Sequence, residues 1–196
     1  MKNSVSFFIC FFISIIVSGC TLKQDVLPTN LYSIDFKVNK NTFSTNSKSI
    51  YVEIPKVNKN FNSRKIFYST KPYLFEKYAI NKWINSPSYM IHNNLTQGII
   101  DSNIFNIVLQ EKANIDFDYI LKTNVINLYN SIENKKSYAI VKVRFILVSD
   151  KKLVKTFTYN KRILSQKNNP YGFVLSTNKA FEEIINDLSF QLSEIK

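Results

Sequence analysis

The chain holds 196 residues, with 26 Lys and Arg against 14 Asp and Glu, a formal charge of +12, 45% hydrophobic residues, 3 Gly, 2 Cys and 1 His. That length and apolar content suit one small domain with a core and exclude a wholly disordered chain, while one His and two Cys cannot furnish a closed four-ligand zinc site or more than one disulfide. The positive charge does not point to nucleic acid, because only Arg64, Arg144 and Arg162 are arginines and the lysines are scattered rather than gathered into a phosphate-tracking run, the pattern of a solvated surface.

In chain order, the first segment reads as an export signal. Lys2 precedes an almost continuous apolar stretch from Val5 to Val17, too short to span a bilayer as a mature helix. Val17-Ser18-Gly19-Cys20 then resembles the lipobox of bacterial lipoproteins. The resemblance implies cleavage between Gly19 and Cys20, diacylglycerol on the Cys20 thiol and an acyl chain, such as palmitate, on the new amino group. Chains of this kind contribute about 0.8 kcal/mol per buried CH₂, so more than one makes a stable anchor. Residues 1–19 are expected to leave, taking Lys2 and Cys10 with them, and the lipidated Cys20 leaves the mature chain without a thiol. Thr21 stands where an Asp would resemble the inner-membrane retention signal of enteric bacteria. The expected location is therefore the periplasmic face of the outer membrane.

Residues 20–30, polar and interrupted by Pro28, read as a tether, and a single domain is expected over residues 31–196. Its first strand is expected over Leu31–Phe36, followed by a polar loop through Lys48. Ile50–Ile54, closed by Pro55, and Lys65–Tyr68 read as short strands. Ser86-Pro87 signals a helix start, and Ile91, Leu95 and Ile99 recur at helical spacing toward an end near Ser102. Phe105–Leu109 is a strand. A three-strand meander follows: Phe117–Tyr129, a polar connection over Asn130–Lys136, an arm with Ala139, Val141, Val143, Phe145 and Leu147 on one face, a turn at Ser149–Lys152, and Leu153–Leu164. Asn168–Gly172 reads as a loop. Ser176 or Thr177 is expected to cap a last helix whose stripe is Phe181, Ile184, Ile185, Leu188, Leu192 and Ile195. Two helices on one mostly antiparallel sheet give an α+β fold.

The chemistry of catalysis is sparse. His92, the single imidazole, lacks a Cys or a Ser–acid pattern to complete a triad and reads as a packing or surface residue. Asp116 and Asp118 flank Phe117 and would share one face of a strand, but no His or third acid joins them, so they read as solvated strand-edge residues. Three glycines, one of them in the signal, cannot make a phosphate loop. No catalytic residues, no metal ligands and no cofactor beyond the lipid on Cys20 are expected. Tyr73, Tyr78 and Trp83 cluster in a loop-like stretch between strand and helix and are candidates for a partner interface, or for a cover over the sheet edge.

Ile66-Phe67-Tyr68, Tyr78-Ala79, Trp83, Pro87, Met90-Ile91 and Leu95, with Leu31-Tyr32-Ser33-Ile34, Asp118–Leu121, Ala139–Leu147, Ala180 and Leu188, carry a resemblance. In their order, and behind the lipobox, they resemble the auxiliary lipoprotein component of ABC-type transport systems, the family that includes paraquat-inducible protein C. Lys82 before Trp83 and Asn85-Ser86 before Pro87 depart from the pattern of that family. The resemblance implies a non-enzymatic accessory role in lipid transport between inner and outer membranes. The implied partners are an MCE-domain protein and its ABC permease and ATPase, with the membrane reached through the lipid anchor and phospholipid binding left open. Two other readings stand beside it: a lipid-binding carrier with a pocket between helices and sheet, and a structural outer-membrane lipoprotein of a secretion or lipopolysaccharide-assembly complex.

Overall fold

Two turns organise the sheet. In the computed structural model, which describes residues 28–39, 43, 45–112 and 115–195, Asn134 and Lys135 both have positive φ (50° and 62°), as do Asp150 and Lys151 (49° and 62°). Two consecutive left-handed residues make the two-residue turn whose twist matches antiparallel strands, and Asn and Asp tolerate that conformation. These turns join β7 (Tyr119–Glu133), β8 (Lys136–Ser149) and β9 (Lys152–Leu164). The connection expected over Asn130–Lys136 thus shrinks to two residues, because pairing continues to Glu133 opposite Lys136.

On its other edge β7 carries three short parallel strands end to end. They are β2 (Asn46–Val52), β3 (Lys56–Val57) and β4 (Lys65–Ser69). β6 (Phe105–Leu109) extends the sheet beyond β2, while β5 (Glu76–Trp83) and then β1 (Asn30–Tyr32) extend it beyond β4. The long ladders are antiparallel and the short ones mostly parallel, and the described residues form one nine-stranded sheet. With two helices on it, the fold is α+β.

The helices cover one face. In β8 the alternation expected from the sequence holds: Ala139, Val141, Val143, Phe145 and Leu147 are buried, and residues 138, 140, 142, 144, 146 and 148 face the other way. α1 (Pro87–Asp101) buries Met90, Ile91, Leu95 and Ile99. Its Ser86 side chain caps no helix N–H and lies instead 3.3 Å from Ser88 Oγ, while Asn62 Oδ1 accepts from the Ser88 N–H at 3.1 Å. α2 (Pro170–Ser193) buries Phe181, Ile184, Ile185, Leu188 and Leu192. It starts earlier than Ser176 or Thr177, both of which lie inside it and are buried. Asn169 caps it, its Oδ1 accepting from the Gly172 N–H at 2.8 Å, with Pro170 as the first helical residue. The Asn-Pro-Tyr-Gly signal marks a helix start, since Pro supplies helical φ where no N–H is required.

Of the expected first strand Leu31–Phe36, only Leu31 and Tyr32 pair with a neighbour, as part of β1 (Asn30–Tyr32). Ser33–Asn39 runs instead between the two helices. Asn94 Nδ2 donates to Ile34 O (3.1 Å), Asn178 Oδ1 accepts from Asp35 N (3.0 Å) and Asn186 Oδ1 accepts from Asn39 N (2.9 Å). Side-chain amides from both helices do the work of a ladder, so the alternation of buried Ile34 and Phe36 survives without a sheet partner. Among the described residues no helix is long and apolar enough to cross a membrane.

Candidate functional site

The three aromatics singled out in the sequence separate into three environments. Tyr78 and Trp83 belong to strand β5 rather than to a loop. Glu76-Lys77-Tyr78-Ala79-Ile80-Asn81-Lys82-Trp83 lacks clean alternation, and its place between β4 and β1 makes it a strand. Trp83 is 2% exposed, packs 6.0 Å from the Phe173 ring, and its carbonyl accepts from Arg64 Nε at 3.1 Å. It is core, not interface.

Tyr78 is half-buried and begins a polar relay through the helix-covered face. Its Oη accepts from Asn130 Nδ2 at 2.8 Å, and Asn130 Oδ1 accepts from Ser137 Oγ at 2.7 Å. Ser165 Oγ lies 3.3 Å from Ser137 Oγ and 3.1 Å from Ser176 Oγ, and Ser176 donates to the Gly172 carbonyl at 3.0 Å. Burial pushes the Tyr78 phenol above its ordinary pKa, against the hydrogen bond from Asn130. Asn130 itself is fully buried. Such a network is structural, joining β5, β7, β8 and α2 through satisfied polar groups.

Tyr73 alone is free. It sits at the tip of the β4–β5 hairpin, wholly exposed, with φ 67°, a conformation that costs a side-chain-bearing residue of order 1–2 kcal/mol. The tip is closed by Leu74 N donating to Lys71 O (3.2 Å) and Ser69 Oγ donating to the same carbonyl (2.9 Å). Leu74 and Phe75 are exposed beside it. Phe75 is braced from behind, 5.8 Å from the Phe61 ring and 5.0 Å from Tyr129, and Phe61 stacks on Tyr129 at 5.8 Å. The tip is therefore a Tyr-Leu-Phe projection on an aromatic footing. The three consecutive apolar residues after Lys71-Pro72 were visible in the sequence, whereas the footing was not, because Phe61 comes from the turn between β3 and β4 and Tyr129 from β7.

The tip shares its end of the sheet with a set of cations. The parallel β4·β7 pairing sets Ser69 beside Ser131, so the β7–β8 turn lies on the same side, and Asn168 Nδ2 donates to Lys135 O at 3.1 Å, adding the loop before α2. Lys71, Lys77, Lys135, Lys136 and Lys167 are exposed there. Glu133 is paired with Arg162 at 2.8 Å, and a hydrogen bond from Ser131, together with that guanidinium, holds its carboxyl below the usual range.

The remaining candidates are structural. His92 is buried, with Nε2 2.9 Å from the Val52 carbonyl. Asp116 and Asp118 both precede β7 and share no strand face. Asp118 accepts from the Ser49 N–H (2.8 Å), Ser49 Oγ (2.8 Å) and Lys48 Nζ (2.9 Å), and its own N–H donates to Ser49 Oγ (2.9 Å). These bonds, the Ser49 N–H first, hold its carboxyl at about 2. Asp118 fastens β2 to the start of β7. No group of three or more His, Cys, Asp or Glu among the described residues is placed to hold a metal ion. Gly19 and Cys20, the expected cleavage and lipidation site, lie outside the described residues.

The space between helices and sheet, where a carrier would hold lipid, is filled by side chains such as Phe145, Phe173, Phe181 and Leu188. A groove of about 330 Å³ runs on the surface between the Asp35–Val38 segment and α1, and another of about 290 Å³ lies between Leu164 and Leu175.

No family model and no curated protein matches this chain. Among solved structures it is similar to protein XCC0632 from Xanthomonas campestris, described under the family model DUF330, with TM-score 0.74 and 16% identity over 83% of this chain and 95% of that one. It is also similar to an uncharacterized protein, with TM-score 0.69 and 11% identity over 84% and 99%. A third likeness is to the hypothetical protein CT253 from Chlamydia trachomatis, with TM-score 0.51 and 6% identity over 75% and 98%. At these identities the likeness is one of fold: the chain shares the architecture of the Xanthomonas DUF330 protein across nearly the whole of that structure.

Proposed function

We propose that this chain is a lipid-anchored periplasmic lipoprotein and a non-enzymatic accessory component of an ABC and MCE-type system moving phospholipid between the inner and outer membranes. The observation that carries the reading is where the domain begins. Among the described residues the buried core begins at Ile34, with Tyr32 packed against it, downstream of the segment that the sequence assigns to export, acylation and tether. Acylated Cys20 supplies attachment, and the rigid α+β body supplies a docking surface. The residues that could have argued for chemistry, His92 and Asp118, are held by Val52, Ser49 and Lys48 in structural roles. The similarity to a DUF330 fold is compatible with this assignment.

The decisive experiment is co-purification. The detergent-solubilised, full-length protein is expected to bring down an MCE-domain protein with its permease and ATPase. Recovery of bound phospholipid with no such partner would replace the accessory role with that of a carrier. The anchor is checked separately by the mass of the amino-terminal peptide. A Cys20→Ala chain that stays membrane-bound and is processed normally would remove the lipoprotein assignment.

A further inference from the structure

The two ends of the sheet differ in chemistry. One end presents the Tyr73-Leu74-Phe75 tip among five exposed lysines, Lys71, Lys77, Lys135, Lys136 and Lys167. Of the acids there, Glu133 is already paired with Arg162 and Glu76 adjoins Lys77. The opposite end carries Asp101, Asp116, Asp118 and Asp150 beside its own lysines. A basic rim around exposed aromatic and aliphatic side chains is the composition that anionic bilayer surfaces attract: lysines meet headgroups, and amphipathic aromatics settle at the interface.

The course of the chain leaves this end within reach of Cys20. β1 lies parallel to β5, with Asn30 beside Asn81 and Tyr32 beside Trp83. Because β5 runs away from the tip, the N-terminal end of β1 faces the tip side. Glu76, at the tip end of β5, is five residues from Asn81, or about 17 Å of strand. The ten residues from Cys20 to Asn30 can span at most about 33–36 Å. A lipid on Cys20 can therefore sit in a bilayer level with Tyr73.

We infer that this end of the sheet is a bilayer-contact surface, in which Tyr73, Leu74 and Phe75 enter the interfacial layer of the same anionic membrane that holds the acylated Cys20, with the surrounding lysines on the headgroups. The inference rests on the lipoprotein assignment for its second attachment point. The unfavourable backbone of Tyr73 has a purpose in this arrangement, since it turns the ring outward from a tip whose neighbour Phe75 is fastened to Phe61 and Tyr129.

The test uses full-length protein reconstituted into vesicles of phosphatidylcholine with phosphatidylglycerol, with and without brominated acyl chains. Trp83 is the single tryptophan and is buried, so a Tyr73→Trp variant adds one reporter at the tip. Brominated chains are expected to cause a loss of the added emission, with none in the parent protein, whose Trp83 emission also verifies folding of the variant. The loss is expected to shrink in phosphatidylcholine alone and after Lys71→Gln with Lys77→Gln. An acylated protein showing no loss beyond the parent overturns the inference, as does a tip emission that shifts only when an MCE-domain partner is added, which would make the tip a protein interface. Equal loss in both vesicle types overturns the role of the lysines. The amino-terminal peptide mass separates the two claims: quenching in a chain without acyl groups would uphold the bilayer contact and sink the anchor.

Discussion

Gly98 of α1 lies against Val38 so closely that a Cβ built on it would stand 2.6 Å from Val38 Cγ2, with Ile185 Cγ2 at 3.2 Å. At this one point the Ser33–Asn39 segment, α1 and α2 meet. Ala normally gains about 1 kcal/mol over Gly inside a helix, but Val38 is short and β-branched and has little freedom to withdraw. Gly98→Ala is therefore expected to lower stability by about 1–2 kcal/mol in urea denaturation. Combining it with Val38→Ala should recover part of that loss, and simple additivity in this double-mutant cycle would show that the contact does not limit packing.

The start of α2 offers a sharper case. A Cβ on Gly172 would come within 2.0 Å of the Lys167 carbonyl oxygen, a backbone atom that cannot swing aside. Gly172→Ala should cost about 2 kcal/mol or more through displacement of the turn before the helix. Asn169→Ala, which removes only the cap, is expected to cost about 1 kcal/mol. Equal midpoints for the two variants in chemical denaturation would contradict the steric argument.

Folding lowers the Asp118 carboxyl from its ordinary 3.8 to about 2. On acidification the unfolded chain takes up the proton first, so this contribution to stability is complete above about pH 4 and is lost as pH falls toward about 2. Asp118→Asn should flatten that part of the stability profile and leave the neutral region with a smaller, pH-independent deficit. An acid limb with unchanged slope would assign it to other carboxylates.

At the alkaline side the groups to watch are Tyr159 and Tyr78. Burial, then the hydrogen bond of Tyr159 Oη to Asp187 at 2.8 Å, raises the Tyr159 phenol strongly. A raised folded-state value means stability is fully present below about pH 10 and declines as the pH rises beyond it. Tyr159→Phe should weaken that decline, as followed by far-ultraviolet circular dichroism against pH.

The Tyr78–Asn130 pair tests the relay. Tyr78→Phe strands a buried amide donor of Asn130 and should cost about 1–3 kcal/mol, while leaving tip quenching in vesicles unchanged because Tyr73 does not join the relay. A neutral effect on the denaturation midpoint would mean that Asn130 finds another acceptor.

Much of this molecule could be read from its sequence where periodicity is strong. The alternation from Ala139 to Leu147 and the stripe from Phe181 to Leu192 announced their buried faces, because one sheet or helix face against a core imposes period two or 3.6 regardless of partners. Reading failed where the partner decides. β5 became a strand through β4 and β1, Ser33–Asn39 lost its ladder to amides from two helices, and Asn168–Gly172 combined loop-like residues with a helix cap.

The lipobox-like spacing at Val17–Cys20, the count of one His and two Cys, and the apolar content for a core belong to the sequence alone, since they depend on residue identity and local spacing. Which aromatic is free was settled by the tertiary structure. Trp83 and Tyr78 look as available as Tyr73 along the chain, but exposure depends on what packs against a side chain from far away in sequence. Phe173 and Asn130 claim the first two. The +12 charge followed the same rule: scattered along the sequence, it acquired a lysine-rich end when parallel pairing of β4 with β7 brought the hairpin tip and the β7–β8 turn to one side of the sheet.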